Sequence, residues 1–265
     1  MFLHGILGSR ANWRTFGTRF VERVPSWSAL LVDLPGHGDS GPLPEPPELD
    51  RTARMLDGLL GECETAGRPV RLVVGHSLGG KLALVWSAGA PGPRHVVVVD
   101  VSPAARPRAM ISSPAARVLD VLDGLPSRVE TRARFVALVR QAGLDEATAR
   151  WLAMSLRPDG SAWRLRFDRV ALRRLLVSHY AFDAWPIVRD PPTGMSLHFV
   201  VGGRSEAVDA SDRAELARLH ALDPSRWGLT IIDGAGHDVH VDAPDVLLDV
   251  LAQCVSVRGT GRSDD

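Results

Sequence analysis

Short apolar runs punctuate this chain, and several stop abruptly at a glycine or an aspartate. Ala29-Leu30-Leu31-Val32 ends at Asp33, Val70-Arg71-Leu72-Val73-Val74 at Gly75, and His95-Val96-Val97-Val98-Val99 at Asp100. Leu197-His198-Phe199-Val200-Val201 and Leu229-Thr230-Ile231-Ile232 follow later, and Met1-Phe2-Leu3 reads as the end of one more. Runs that stay apolar through the strand period of two predict strands buried on both faces. Residues 12–24, 49–66, 80–86 and 244–254 have helical character. Strands alternating with helices predict an α/β protein built on a mostly parallel, doubly wound sheet.

The texture changes near residue 104. Strand-like runs stop, and helical stretches take over at 114–122, 129–142, 145–156 and 168–178. This predicts a helical lid over 104–186, inserted between core segments 1–103 and 187–257. Its place is the carboxyl end of the strands, where open α/β sheets bind ligands. A proline-rich loop spans 42–47, and the Gly/Ser/Asp-rich tail, 258–265, is expected to be disordered.

Gly75-His76-Ser77-Leu78-Gly79 sits between a predicted strand and a predicted helix. Gly-x-Ser-x-Gly alone is ordinary turn chemistry. A strand before it and a helix after it make it a nucleophile elbow, the mark of the α/β-hydrolase fold, with Ser77 lifted above the sheet edge. Such a serine needs a histidine, an acid and an oxyanion hole. His237, in Asp233-Gly234-Ala235-Gly236-His237, follows the last strand and is the candidate base, with His240 the runner-up. The backbone N–H groups of Leu78 and Ile6 are the candidate oxyanion donors. His4 is expected to order its loop, and His76 to pack or touch the lid, rather than to do chemistry.

The acid has two candidate positions. The loop after the strand at 197–201 reads Gly202-Gly203-Arg204-Ser205, with serine in the slot where an aspartate is usual. Glu206 and Asp209 are near but out of register. The strand after the elbow helix ends directly in Asp100, which is the favoured acid; a turn-capping aspartate is the bland alternative.

Composition narrows the partners. The chain has 265 residues, 45% hydrophobic and 23% charged, with zero formal net charge. That balance points to neither a nucleic-acid nor an anionic-membrane partner. Neither a signal-peptide pattern nor an apolar run long enough to span a bilayer is found. Cys63 and Cys254 match no metal spacing and suggest reduced thiols in a cytoplasmic protein. Lys81 is the sole lysine.

Several segments together resemble one branch of the α/β-hydrolases. They are His4-Gly5-Ile6-Leu7-Gly8-Ser9 with Asn12-Trp13, Gly36-His37-Gly38-Asp39-Ser40, the elbow with Lys81, Asp100-Val101-Ser102-Pro103, Gly202-Gly203-x-Ser205, and Gly236-His237-x-x-His240. In order and spacing they resemble the YbfF-type esterases and their mitochondrial relatives, as does the Trp163-Arg164 pair in the lid. The resemblance covers nearly the whole chain. It implies a serine hydrolase acting on carboxylic esters or acyl thioesters, with the acid at Asp100 and no metal or organic cofactor. Those relatives carry further strands before the His-Gly loop. Here the sheet edge is expected to be short and the first strand poorly anchored.

The same scaffold serves carbon–carbon bond hydrolases, elimination enzymes, cofactor-free perhydrolases and non-catalytic binding proteins. Trp151, Met154, Leu156, Trp163, Phe167, Leu175 and Phe182 are expected to form the lid core, some of them lining an acyl pocket. Arg132, Arg134, Arg173 and Arg174 could draw an anionic group such as a coenzyme A phosphate; a solvated helix face is the plainer reading.

Overall fold

Among the described residues, 1–89 and 95–256 of a computed structural model, six strands form one sheet in which every neighbouring pair is parallel. They are β1 (Phe2–Leu3), β2 (Leu31–Val32), β3 (Leu72–His76), β4 (His95–Val99), β7 (Ser196–Gly202) and β8 (Trp227–Ile232). A separate hairpin, β5 (Leu156–Asp159) with β6 (Ala162–Leu165), belongs to the lid. The sheet order is β2-β1-β3-β4-β7-β8. The tail at 258–265 lies outside the described residues.

Both faces of the sheet are covered, which is why its strands show little alternation in sequence. Val73, Val96, Val98, Phe199 and Val201 point to one apolar cluster. Leu72, Val74, Val97, Val99 and Val200, interleaved with them, point to the other. The first cluster takes in the elbow helix Leu78–Ser87 and runs on into the lid. The second is closed by the helices Arg14–Arg23 and Pro244–Ser256. There the Phe2 ring packs tilted or edge-on at centroid distances of 5.3 to 6.0 Å against Trp13, Phe16 and Phe20. β1 is accordingly better anchored than expected: it pairs on both sides, and Phe2 and Leu3 are fully buried.

The lid departs from an all-helical reading. Helices Pro114–Asp123, Arg132–Gln141, Glu146–Ala153 and Arg169–Ala181 start where Ser113, Thr131, Asp145 and Asp168 cap their free N–H groups. Between the last two, Asp159-Gly160-Ser161-Ala162 turns the chain through a two-residue loop, with Gly160 at φ +63°. A Gly-Ser pair between short runs with β character is a hairpin signal. Trp163 and Arg164 therefore sit on a strand. Val129, expected to open a helix, exchanges backbone hydrogen bonds of 2.9 and 2.8 Å with Trp163.

Two further differences concern the core. The stretch 49–66 breaks into Leu49–Arg54 and Asp57–Thr65. Ala210–Leu222, between β7 and β8, is a helix with few buried positions, Asp212, Leu216 and Leu219, and so carried no clear apolar stripe.

The lid is tied to the core at its base. The Ala184 N–H donates to the Pro103 carbonyl at 2.8 Å. Buried Lys81 donates from Nζ to the carbonyls of Ala104 and His179, each at 3.0 Å. Burial lowers its pKa to about 8, against the pull of Asp183 and Asp212.

Candidate active site

The chain passes from β3 into the elbow helix through Ser77, at φ 53° and ψ −118°. A non-glycine residue there is strained, at a cost of order 1–3 kcal/mol. The surroundings leave it no other course. A Cβ on Gly75 would fall on the Gly79 carbonyl, and one on Gly79 would lie 2.5 Å from the Leu3 carbonyl oxygen. One on Gly80 would lie 2.8 Å from Val101 Cγ1. The Gly-x-Ser-x-Gly-Gly spelling is thus a packing requirement of a helix pressed onto β1 and β4.

The loop after β1 comes up beside the serine. A Cβ on Gly5 would sit 3.4 Å from Ser77 Cβ, so the Gly5 backbone lies close to Ser77. Leu78 is the first residue of its helix, so its N–H has no intrahelical acceptor. Two buried histidines hold the loop. His4 binds the Gly5 carbonyl through Nδ1 at 2.7 Å and accepts the Leu34 N–H at Nε2 at 3.0 Å. His37 accepts the Leu7 N–H at Nε2 at 3.1 Å and binds the Pro35 carbonyl through Nδ1 at 3.0 Å. Desolvation lowers their pKa values to about 3 and about 4, so both rings are neutral. From sequence His37 is part of a turn motif, Gly36-His37-Gly38, with no role of its own; its bond to the Leu7 N–H supplies one.

Asp100, wholly buried and at φ +50°, stands at the end of β4. Its Oδ1 accepts the Gly202 N–H at 2.9 Å. Its Oδ2 accepts the Ser205 hydroxyl and, at 2.7 Å, His237 Nδ1. The serine in the slot expected to hold an acid thus donates to Asp100. Of the alternatives, Glu206 is exposed. Asp209 caps Ala210–Leu222 and pairs with Arg106 at 2.6 Å.

His237 is half-exposed. Burial opposes its charged form, but the hydrogen bond and charge of Asp100 outweigh it, and its pKa is raised above the ordinary value. Its carbonyl accepts from His76 Nε2 at 2.9 Å. His76 therefore braces the His237 loop, a role that its place beside the serine concealed. His240 is buried against the Trp13 ring at 4.6 Å and the His76 ring at 4.9 Å. Two glycines let the His237 loop close on β7. A Cβ on Gly202 would strike the Gly236 carbonyl, and one on Gly203 would lie 2.5 Å from Asp233 Cα.

Of the lid arginines, Arg132 donates to the Ala153 carbonyl at 2.6 Å and lies 5.0 Å from the Trp163 ring centroid. Arg173 pairs with Asp120 and Asp123, and Arg174 lies 3.7 Å from Glu45. Three of the four cations considered for a phosphate group are thus engaged within the protein. Cys63 and Cys254 are free thiols, and burial raises that of Cys254 to about 11.

A parallel sheet, a strained serine at the start of a helix, and a histidine–aspartate pair on the loops after β8 and β4 define a hydrolase of the α/β class. The chain belongs to the alpha/beta hydrolase family, whose model matches residues 1–250. It is 29% identical to the sn-1-specific diacylglycerol lipase ABHD11 of Mus musculus over 95% of this chain and 78% of that protein. It is 26% identical to the 2-succinyl-6-hydroxy-2,4-cyclohexadiene-1-carboxylate synthase of Klebsiella pneumoniae over 97% and 93%. A solved marine microorganism esterase superposes with a TM-score of 0.77, covering 95% of this chain and 93% of that one, at 18% identity, a likeness of fold. Family and relatives support hydrolase chemistry of the esterase type. No helix among the described residues is long and apolar enough to cross a membrane.

Proposed function

We propose that the protein is a serine hydrolase that cleaves carboxylic esters or acyl thioesters, with Ser77 as nucleophile, His237 as base and Asp100 as acid. The observation that carries this reading is the 2.7 Å bond between His237 Nδ1 and the buried Asp100 carboxylate, with the His237 ring 4.6 Å from that of His76, the residue before the strained serine. With Nδ1–H held by Asp100, Nε2 is the basic nitrogen. It takes the Ser77 proton as Oγ attacks the carbonyl carbon, and returns it to the leaving alcohol or thiol. The Ile6 and Leu78 N–H groups stabilise the oxyanion. Water then attacks the acyl-enzyme, His237 again removing the proton, and the acid product leaves. The scheme needs no metal or organic cofactor.

We place the protein near the YbfF-type esterases and acyl thioesterases and their mitochondrial relatives. Small-molecule esters with an apolar acyl chain are the substrate class, with the lid, about 104–186, over the site. Similarity to a synthase of the same fold favours a second reading, elimination from a succinyl-bearing ring with Ser77 and His237 moving protons. A panel of p-nitrophenyl esters, acyl-CoA thioesters and a diacylglycerol, run on wild type and Ser77→Ala, separates the two. Ester turnover and fluorophosphonate labelling are expected in wild type and lost in S77A. Retained labelling in S77A, or a wild type inert across the panel, overturns the esterase reading.

A further inference from the structure

His76, Asp238 and His240 form a cluster beside the proposed base. One nitrogen from each imidazole and one Asp238 carboxylate oxygen all lie within 4.8 Å of one another. His76 Nε2 is 3.8 Å from Asp238 Oδ1. Both rings are buried, whereas the Asp238 side chain is 64% exposed, so the cluster has one ligand at the surface. His240 Nδ1 is buried and has no hydrogen-bond partner among the described residues. A buried polar nitrogen left unpaired is costly unless something satisfies it.

We propose that His76, Asp238 and His240 bind a divalent transition-metal ion of the zinc class, and that its binding inhibits the enzyme. Two imidazole nitrogens and one carboxylate oxygen, with water in the fourth position, are a common zinc donor set. The same donors suit Cu²⁺ and Ni²⁺. Tetrahedral coordination brings ligand atoms to roughly 3.3 Å of each other, so the cluster must contract, and exposed Asp238 has room to turn inward. Ligation through His76 Nε2 moves the proton of that nitrogen to Nδ1 and removes the 2.9 Å bond to the His237 carbonyl. Asp238 directly follows His237, so the metal pulls on the base from two sides.

The inhibitory half rests on the reading of His237 as the base; the binding half does not. The test is calorimetric titration of untagged full chain with Zn²⁺, plus visible absorption with Co²⁺, on wild type, Asp238→Asn and His240→Gln. Ester turnover is measured with zinc and after chelation, each variant against its own metal-free rate. One equivalent is expected to bind wild type, at least about tenfold more weakly in either variant, with a tetrahedral cobalt band only in wild type. Zinc should suppress wild-type turnover, reversibly, and spare D238N. Absence of stoichiometric binding in wild type, or equal binding in D238N, overturns the site, and D238N tests it even where H240Q fails to fold. Binding without inhibition overturns the inhibitory half. A metal-free chain that turns over no ester overturns the proposed function instead, while calorimetry still judges the site.

Discussion

Replacing Asp100 by asparagine removes one charge and keeps the shape. The carboxylate accepts three donors: the Gly202 N–H on Oδ1, and the Ser205 hydroxyl and His237 Nδ1 on Oδ2. Asparagine must place its NH₂ on one side. Toward Gly202 it would set donor against donor and leave a buried N–H unpaired, a cost of about 1–3 kcal/mol. Toward Ser205 and His237 the cost is smaller, because the hydroxyl can rotate and the imidazole can shift its proton. His237 then carries its proton on Nε2 and cannot accept one from Ser77. The expected loss in kcat is about 10⁴-fold, as in other triads, or roughly 5.4 kcal/mol of barrier. Unfolding free energy should change by less than about 1 kcal/mol, because two of the three contacts can be remade. The assay is p-nitrophenyl ester hydrolysis by wild type, D100N, Glu206→Gln and Asp209→Asn, each checked for folding by thermal melt. D209N keeps a helix cap, because asparagine caps as well as aspartate; it loses the ion pair with Arg106 and should keep its rate. D100N within tenfold of wild type, or E206Q or D209N as damaged as D100N is expected to be, refutes the reasoning.

Two other perturbations probe the frame around the site. Lys81→Met leaves the Ala104 and His179 carbonyls without their donor. Part of that loss is offset because a charge is no longer buried, so about 2 kcal/mol, or roughly 5 °C in thermal midpoint, is expected. An unchanged midpoint would show that the lid base does not depend on the lysine. Acid should unfold the protein early: burial lowers His4 and His179 to about 3, and His37 and His198 to about 4. Above an unfolded value near 6.5 these rings are neutral in both states. As pH falls toward 4 the unfolded chain takes up protons that the folded one refuses, and each ring removes up to about 1.4 kcal/mol per pH unit. His237, with its pKa raised, works the other way. Urea midpoints at pH 7 and pH 5 check this, and equal midpoints would contradict it.

Local physics made part of this protein legible in its sequence. Runs such as His95–Val99 read as strands because a sheet covered on both faces admits only apolar side chains. The elbow is readable because its strain is local: three glycines within six residues mark where a helix must crowd two strands. The lid hairpin and the helix at Ala210–Leu222 were overlooked. A four-residue strand with polar flanks and a surface helix with three buried positions leave little periodicity to detect.

Tertiary structure decided the contacts that chain order cannot express. Asp100 and His237 are 137 positions apart, and only the parallel order β3-β4-β7-β8 brings their loops together. Why Ser205 occupies the usual acid slot is answered only by its hydroxyl on Asp100. His76 reads as a packing residue and His240 as the runner-up base until folding brings their rings together beside Asp238. Sequence records the demands a residue places on its immediate neighbours. Partners contributed by another strand depend on register and packing, which the folded chain settles.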